Sequence, residues 1–255
     1  MNNIYLSVVI PCYNEIENLK RGVLNQIKEF LEKQDYSWEV IVSDDGSSDE
    51  SLKFIKEYIK ENNVFRVFRV LENPHAGKPF AVWAGIKASK GKYVLFTDMD
   101  QSTPISEINK LLPYFEKDFD LVIGSRGEER KGFPWYRKIL ATGFRMLRRA
   151  IILSKIVDTQ CGFKAFKKEV AEDVFKRLQV FKEEKKAKGW KVTAFDVELL
   201  FIAQKRGYKI AEVPVRWTDV DIAKGKKRNF MKESWGMAKE ILRVKLNDLR
   251  HLYEI

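Results

Sequence analysis

The chain has only two histidines and two cysteines, and no apolar run near the roughly 18 residues that crossing a bilayer requires. His75 and His251 are too few and too distant for a histidine-rich metal site, so each reads as a lone surface histidine. Cys12 and Cys161 fall at a strand end and in a loop, with no signal-peptide pattern before them. They read as reduced thiols in a cytosolic protein, not as a disulfide framework. The N-terminus runs straight into an apolar strand, Leu6 to Ile10, so no targeting peptide is expected there. Also absent are a Gly-x-x-x-x-Gly-Lys-Ser/Thr loop and a Gly-x-Gly-x-x-Gly turn, which argues against P-loop and dinucleotide folds. These absences predict a protein that is soluble or lies on a membrane without crossing it alone.

What is present describes a globular α/β chain. Its 255 residues are 45% hydrophobic and 13% aromatic, enough for one large domain with a sizeable core. Forty-seven basic against 36 acidic residues leave a formal charge of +11, which calls for an anionic partner: nucleic acid, acidic membrane or phosphorylated substrate. Patterning predicts strands at Leu6–Pro11, Trp38–Ser43, Val64–Leu71, Tyr93–Thr97 and Asp120–Ile123. Helices are predicted between them at Ile16–Leu31, Asp49–Ile59, Pro79–Ala88 and Pro104–Phe115. This alternation predicts a mostly parallel sheet with helices on both faces, whose ligands bind beyond the carboxyl ends of the strands.

Those ends are rich in acid. Pro11-Cys12-Tyr13-Asn14-Glu15 follows the first strand, Asp44-Asp45-Gly46-Ser47-Ser48 the second and Asp98-Met99-Asp100-Gln101-Ser102 the fourth. Helix capping explains some of this, Ser48 and Asp49 above all. Acid pairs converging on one crevice would nonetheless repel unless a cation or a hydrogen-bonding ligand sat among them. Asp98 and Asp100, hard oxygen donors at a strand exit, suit Mg²⁺ or Mn²⁺ bridging to substrate phosphates.

The series Val8 to Glu15, Asp44 to Asp49, Gly77-Lys78, Asp98-x-Asp100 and Gly124-Ser125-Arg126 resembles the inverting GT-A glycosyltransferases of family two. Asp158 to Phe166 and Ala194 to Leu200 resemble a narrower group, the dolichyl-phosphate sugar synthases, and look closest to its β-glucosyltransferase branch. The likeness covers about residues 4 to 230. It implies a GT-A catalytic domain over 1–224, with a nucleotide-sugar half (1–103) and an acceptor half (104–224), then a basic amphipathic helix over 225–255. Pro11, Tyr13, Asn14, Glu15, Asp44, Asp45, Lys78, Asp98 and Met99 would hold the nucleotide-sugar. Asp98 and Asp100 would bind Mg²⁺ or Mn²⁺. Arg126 would face the acceptor phosphate, and Asp100, Arg126 and Arg137 are the catalytic candidates. Where the mannosyl relatives place a metal-binding Gln two residues after the second Asp, this chain has Ser102, with Gln101 one residue early. Ser102 is taken as the third metal position. The resemblance favours UDP-glucose as donor, with GDP-mannose the alternative.

A polyprenyl or dolichyl phosphate acceptor needs no general base, because a phosphate monoester is largely ionised near neutrality with a second pKa of about 6. It needs cations, and Arg126, Arg137, Lys138, Lys164, Lys224 and Lys226 are the candidates, although the run Lys224 to Arg228 also reads as a solvated loop. A hydroxyl acceptor would instead call on Asp196 or Glu198 as base. Over Trp135–Leu153 an apolar face (Tyr136, Leu140, Phe144, Leu147, Ile151) lies opposite Arg137, Arg145, Arg148 and Arg149. That pattern predicts an interfacial helix over 134–154 on anionic lipid, or else a helix packed on the sheet. A second amphipathic stretch sets Met231, Trp235, Ala238, Leu242, Leu249 and Tyr253 on one side. Lys182 to Lys188 reads as a solvated turn. Basic residues that coincide with apolar faces, and acids lining the crevice, argue against a nucleic-acid partner. The expected location is the cytoplasmic face of a membrane.

Overall fold

The computed structural model describes residues 4–127, 156–182, 195–218, 220 and 230–253. The expected interfacial helix over 134–154, Arg137 and Lys138 within it, Lys224 and Lys226, and all but the first residue of the Lys182–Lys188 turn lie outside them.

Among the described residues, seven strands form one sheet in the order β3-β2-β1-β4-β6-β5-β7. β1 (Leu6–Cys12) and β4 (Tyr93–Thr97) are buried throughout, as expected of central strands covered on both faces. β2 (Trp38–Asp44) and β3 (Phe68–Glu72) extend the parallel half, with Val8 opposite both Val40 and Leu95. β6 (Phe163–Lys167) then enters between β4 and β5 (Leu121–Ser125), antiparallel to both, and β7 (Ile210–Pro214) runs parallel to β5. The reversal matters for the site. Because Phe163 pairs with Thr97, the chain leading into β6 passes over the edge where β4 releases Asp98.

The predicted helix over 16–31 is two helices, α1 (Ile16–Lys20) and α2 (Val23–Leu31). Gly22 between them has φ +78°, a left-handed conformation that only glycine adopts readily. α3 (Ser51–Glu61) and α4 (Lys78–Ala88) follow β2 and β3, with Pro79 in the first turn of α4 where its missing N–H is harmless. β3 starts at Phe68, later than predicted, because Val64 to Val67 form a turn in which the Val64 carbonyl accepts from Val67 N at 3.0 Å and Phe68 N at 2.8 Å. The predicted 104–115 helix is a 3₁₀ turn (Ile105–Glu107) and two short helices, α5 (Ile108–Leu111) and α6 (Pro113–Glu116); Pro113 supplies no N–H to continue the ladder. α7 (Lys168–Phe175), α8 (Phe195–Lys205) and α9 (Phe230–Leu249) complete the described helices. None of them is long and apolar enough to cross a membrane.

α9 docks on the body through Ile241 and Val244 and through a buried carboxylate. Glu198 of α8 accepts from Arg243 Nη2 at 3.1 Å, the Tyr253 hydroxyl at 2.7 Å and Gln179 N at 3.0 Å. Tyr253, expected on the same side as Leu242 and Leu249, is buried instead. The helix ends at Leu249, His251 takes φ +57°, and the turn tucks the Tyr253 ring against Phe201. Leu242, Leu246, Leu249 and Leu252 are left 41–63% exposed.

Candidate active site

The exits of β1, β2 and β4, the entry to β6 and the start of α8 share one edge of the sheet. The β2 exit holds two wholly buried carboxylates. Asp44 clamps its own loop, accepting from Gly46 N and Ser47 N at 3.0 Å each and from the Ser47 hydroxyl at 2.5 Å. Asp45 accepts from Ala76 N at 2.9 Å and Gly77 N at 2.9 Å, and from His75 Nδ1 at 2.9 Å. Both expected nucleotide ligands therefore spend their carboxylates on fixing loops. Asn14, at φ +55°, does the same between the β1 and β2 exits, with Oδ1 accepting from Ser48 N at 2.8 Å. Glu15 bonds Ser51 Oγ through its N–H at 2.8 Å, and Asn18 Nδ2 through its side chain at 2.6 Å. Asp49, one residue before the N-cap Glu50 of α3, accepts from Ser51 N at 2.9 Å and from Ile16 N at 3.3 Å, joining the starts of α3 and α1. Pro11 lies in buried β1, and Met99, expected at the nucleotide, is a core side chain instead. Tyr13 stacks on His75 with centroids 4.2 Å apart. His75 is thus not the lone surface histidine that sequence reading expects.

At the β4 exit, the Lys78 ammonium pairs with Asp98 Oδ1. Burial alone would lower the Lys78 pKa, but the charges of Asp98 and then Asp196 outweigh it and raise the value. Gly162, in the chain entering β6, fits closely over Asp98: a Cβ there would come within 2.0 Å of Asp98 Oδ2. Asp100 Oδ1 accepts from Ser102 N at 2.8 Å, so Ser102 orients Asp100 through its backbone. Among the described residues no group of three His, Cys, Asp or Glu is arranged to hold a metal ion. Two carboxylates one residue apart still suit a hard cation that keeps most of its shell for phosphate and water. Gln101 adds an oxygen to that set. Its Nε2 donates to the Asp98 carbonyl at 2.8 Å, while Oε1 is buried without a hydrogen-bond partner. Spacing alone puts Gln101 one residue before the expected metal position, and its backbone is left-handed at φ +52°. The donors present fit Mg²⁺ or Mn²⁺.

Across the edge, Arg126 donates from Nε and Nη2 to Asp158 at 2.7 and 2.8 Å, a bidentate pair under the Trp217 ring. Burial would raise the Asp158 pKa, yet the Arg126 hydrogen bonds and charge hold it down at about 2. Lys164, expected at the acceptor, is wholly buried: Nζ donates to Asp196 Oδ1 at 2.6 Å and the Cys161 carbonyl at 2.5 Å. Its shown contact is with Asp196, which it holds at the start of α8. Of the two acids on α8, Asp196 faces this edge and Glu198 faces α9.

Comparisons with known proteins identify the family and the fold. The model of the family "Glycosyl transferase family 2" matches residues 7–175. The dolichyl-phosphate β-glucosyltransferase of Dictyostelium discoideum is 35% identical over all of this chain and 78% of its own length. Its Saccharomyces cerevisiae counterpart is 33% identical over 98% of this chain and 77% of that protein, and the Homo sapiens protein 34% identical over 86% and 69%. Among solved structures, the mannosyltransferase PcManGT from Pyrobaculum calidifontis, in complex with GDP-Man and Mn²⁺, superposes with a TM-score of 0.61 at 18% identity, covering 96% of this chain and 64% of that one. Glucosyl-3-phosphoglycerate synthase from Mycobacterium tuberculosis, with Mn²⁺, UDP and phosphoglyceric acid, gives 0.61 at 21% identity over 99% and 79%. These two share the GT-A fold seen here. An acid-rich strand edge on that fold, a family match across two thirds of the sequence and relatives at 33–35% identity lead to one conclusion: the chain is a glycosyltransferase of family two and belongs with the dolichyl-phosphate β-glucosyltransferases.

Proposed function

We propose that the protein transfers glucose from UDP-glucose to a dolichyl or other polyprenyl phosphate, inverting the anomeric centre. The observation in this molecule that carries the reading is the pairing of Asp196 with Lys164. A hydroxyl acceptor would require a base at this edge, and Asp196 is the carboxylate placed for it. Asp196 Oδ1 already accepts from the wholly buried Lys164 ammonium at 2.6 Å, so this carboxylate is committed to a structural ion pair. An acceptor that arrives already ionised asks for no such proton transfer.

The chain's own residues then have positioning and electrostatic tasks. Asp98, Asp100 and the Gln101 carbonyl would hold Mg²⁺ or Mn²⁺, with Ser102 fixing Asp100. When bound, that ion neutralises charge on the departing nucleotide diphosphate. Lys78, held against Asp98, adds a second cation at the same end. Arg126 offers Nη1 to the acceptor phosphate from a guanidinium that Asp158 locks in plane. Arg137, Lys138, Lys224 and Lys226 are proposed as further acceptor cations on sequence grounds.

A lipid acceptor also requires a membrane surface, proposed here to be an anionic cytoplasmic leaflet. The outward leucines of α9, beside Arg250 and the partly exposed Lys245, support contact with lipid. Incubation with polyprenyl phosphate and a panel of nucleotide-sugars tests the whole reading. A β-linked glucosyl lipid from UDP-glucose is expected. A mannosyl product from GDP-mannose would move the donor assignment, and transfer only to sugar or protein hydroxyls would overturn the acceptor.

A further inference from the structure

We propose that His75 is the platform on which the nucleobase of the donor stacks, with Asp45 as the residue that sets its plane. The proposal deepens the reading of the β1 and β2 exits as a nucleotide site and rests on it. Three contacts fix the imidazole. Nδ1 lies 3.0 Å from the Asp45 carbonyl and 2.9 Å from Asp45 Oδ2. A carbonyl can only accept, so Nδ1 carries the proton and the tautomer is set. One ring face stacks on Tyr13 at 4.2 Å with planes 18° apart. Asp45 is held in turn by the backbone N–H groups of Ala76 and Gly77 and is wholly buried, so the clamp itself cannot swing.

The result is a flat aromatic ring, drawn from the β3 exit onto the β1 and β2 exits, with 29% of its side chain still open to solvent. A free surface histidine would lose rotamer freedom on stacking; this one has already lost it. A purely structural role would need only the Nδ1 bond, and an asparagine amide could supply that. The Tyr13 stack uses one face; the part of the ring still open to solvent is what remains, and a heterocyclic base is the ligand chemistry that uses an aromatic surface of this kind. Stacking on a single side chain is worth about tenfold or more in affinity.

The test is calorimetric titration of wild type, His75→Ala, His75→Phe and His75→Asn with UDP and with inorganic pyrophosphate, both with Mn²⁺ present. Pyrophosphate presents the phosphates without a base. Ala and Asn should each lose about tenfold for UDP and nothing for pyrophosphate, while Phe stays within about threefold of wild type. In turnover, the Ala loss should appear in KM for the donor far more than in kcat. Equal losses for UDP and pyrophosphate, or wild-type UDP affinity in Ala, would overturn the platform while leaving the nucleotide site intact. Failure of wild type to bind UDP at all would overturn both. Should the Ala variant not fold, the Phe and Asn variants decide alone: UDP tighter on Phe supports the platform, and tighter on Asn overturns it.

Discussion

At the β1 and β2 exits the buried carboxylates are held largely by backbone N–H groups, whereas at β6 and α8 they are held by lysine and arginine side chains. Asp44 and Asp45 take backbone N–H groups, one serine hydroxyl and one imidazole. Asp158 and Asp196 each take a full positive charge from a side chain 32 residues away. The difference sets the field across the edge. On the first side the contacts are made largely by the backbone, and the carboxylates fix loops. On the other the charges cancel in pairs and form a rigid scaffold. The β4 exit lies between them: Asp98 pairs with Lys78, Asp100 accepts from Ser102 N, and Gly162 of the chain entering β6 presses on Asp98.

Removing a partner should separate the two modes by the size of the damage. Lys164→Met leaves Asp196 without its buried counter-ion and should cost on the order of 3–5 kcal/mol of stability. Adding Asp196→Leu should recover most of that, because the uncompensated charge goes too. Asp44→Asn, which keeps one acceptor oxygen toward neutral donors, should cost less, about 1–3 kcal/mol. Chemical denaturation of the three variants decides. Equal losses for Lys164→Met and Asp44→Asn would erase the distinction.

The carboxylates at the β4 exit are expected to carry the chemistry. Asp100→Asn removes a carboxylate from the strand exit without removing a core contact, and turnover should fall by roughly 10²–10³-fold with thermal unfolding nearly unchanged. Excess chelator should stop wild type, and added Mn²⁺ should restore it. Full activity of the mutant in chelator would remove Asp98 and Asp100 from any metal role. Gly162→Ala comes next in size. The new methyl must displace Asp98, and a misplacement near 1 Å costs on the order of 10²-fold. Combined with Asp98→Ala it should add nothing, since the carboxylate it displaces is already gone; full additivity in kcat/KM would mean that Gly162 acts elsewhere.

Legibility in the sequence followed the same division. The parallel half of the sheet and the acid clusters at its exits are legible directly, because short apolar, β-branched runs bounded by turn residues are local properties. The insertion of β6 between β4 and β5, antiparallel to both, has no local signature and was not read. The partners of Lys164 and Arg126 depend on it, and by residue pattern alone both are simply cations for an acceptor. His75 and Gln101 were passed over for a related reason. A stacked, clamped histidine is made by three loops meeting, and Gln101 sits one register from the expected metal position. Its left-handed φ redirects the side chain in a way that residue spacing does not encode. Gly22 ended a helix whose apolar periodicity runs straight through it.

Acid should expose the paired side selectively. Arg126 holds the Asp158 pKa down at about 2 against burial, while an unfolded aspartate titrates near 4. A depressed carboxylate gives stability that is present above the unfolded value and is lost as pH falls through the folded one. The loss therefore falls between about pH 4 and pH 2 and amounts to roughly 2 kcal/mol. Asp158→Asn has no such window, so its denaturation free energy should be flatter than that of wild type over that range. Parallel curves would show that the Arg126–Asp158 pair makes no net contribution there.

The smallest stability effect is expected on α9, whose two faces repeat the contrast. The inner face is tied by Ile241, Val244 and the Glu198–Arg243–Tyr253 network, while Leu242, Leu246 and Leu249 point outward at i, i+4 and i+7. Leu242→Asn with Leu246→Asn should change stability by no more than about 0.5 kcal/mol per site, because neither side chain is buried. Ile241→Asn, one residue away and buried, should cost several times more, since it removes a buried side chain worth about 1.5–3 kcal/mol and buries an amide. Binding to vesicles containing anionic lipid should show the reverse order. The double leucine variant should bind at least about tenfold more weakly, as two leucines half-inserted into lipid contribute on the order of 1.5–3 kcal/mol together. Co-sedimentation at low and high salt, alongside denaturation, reads both effects. If the leucine variant binds vesicles as wild type does, the outward face of α9 does not meet the membrane, and the contact must be sought first in the 134–154 segment with its arginine-rich side.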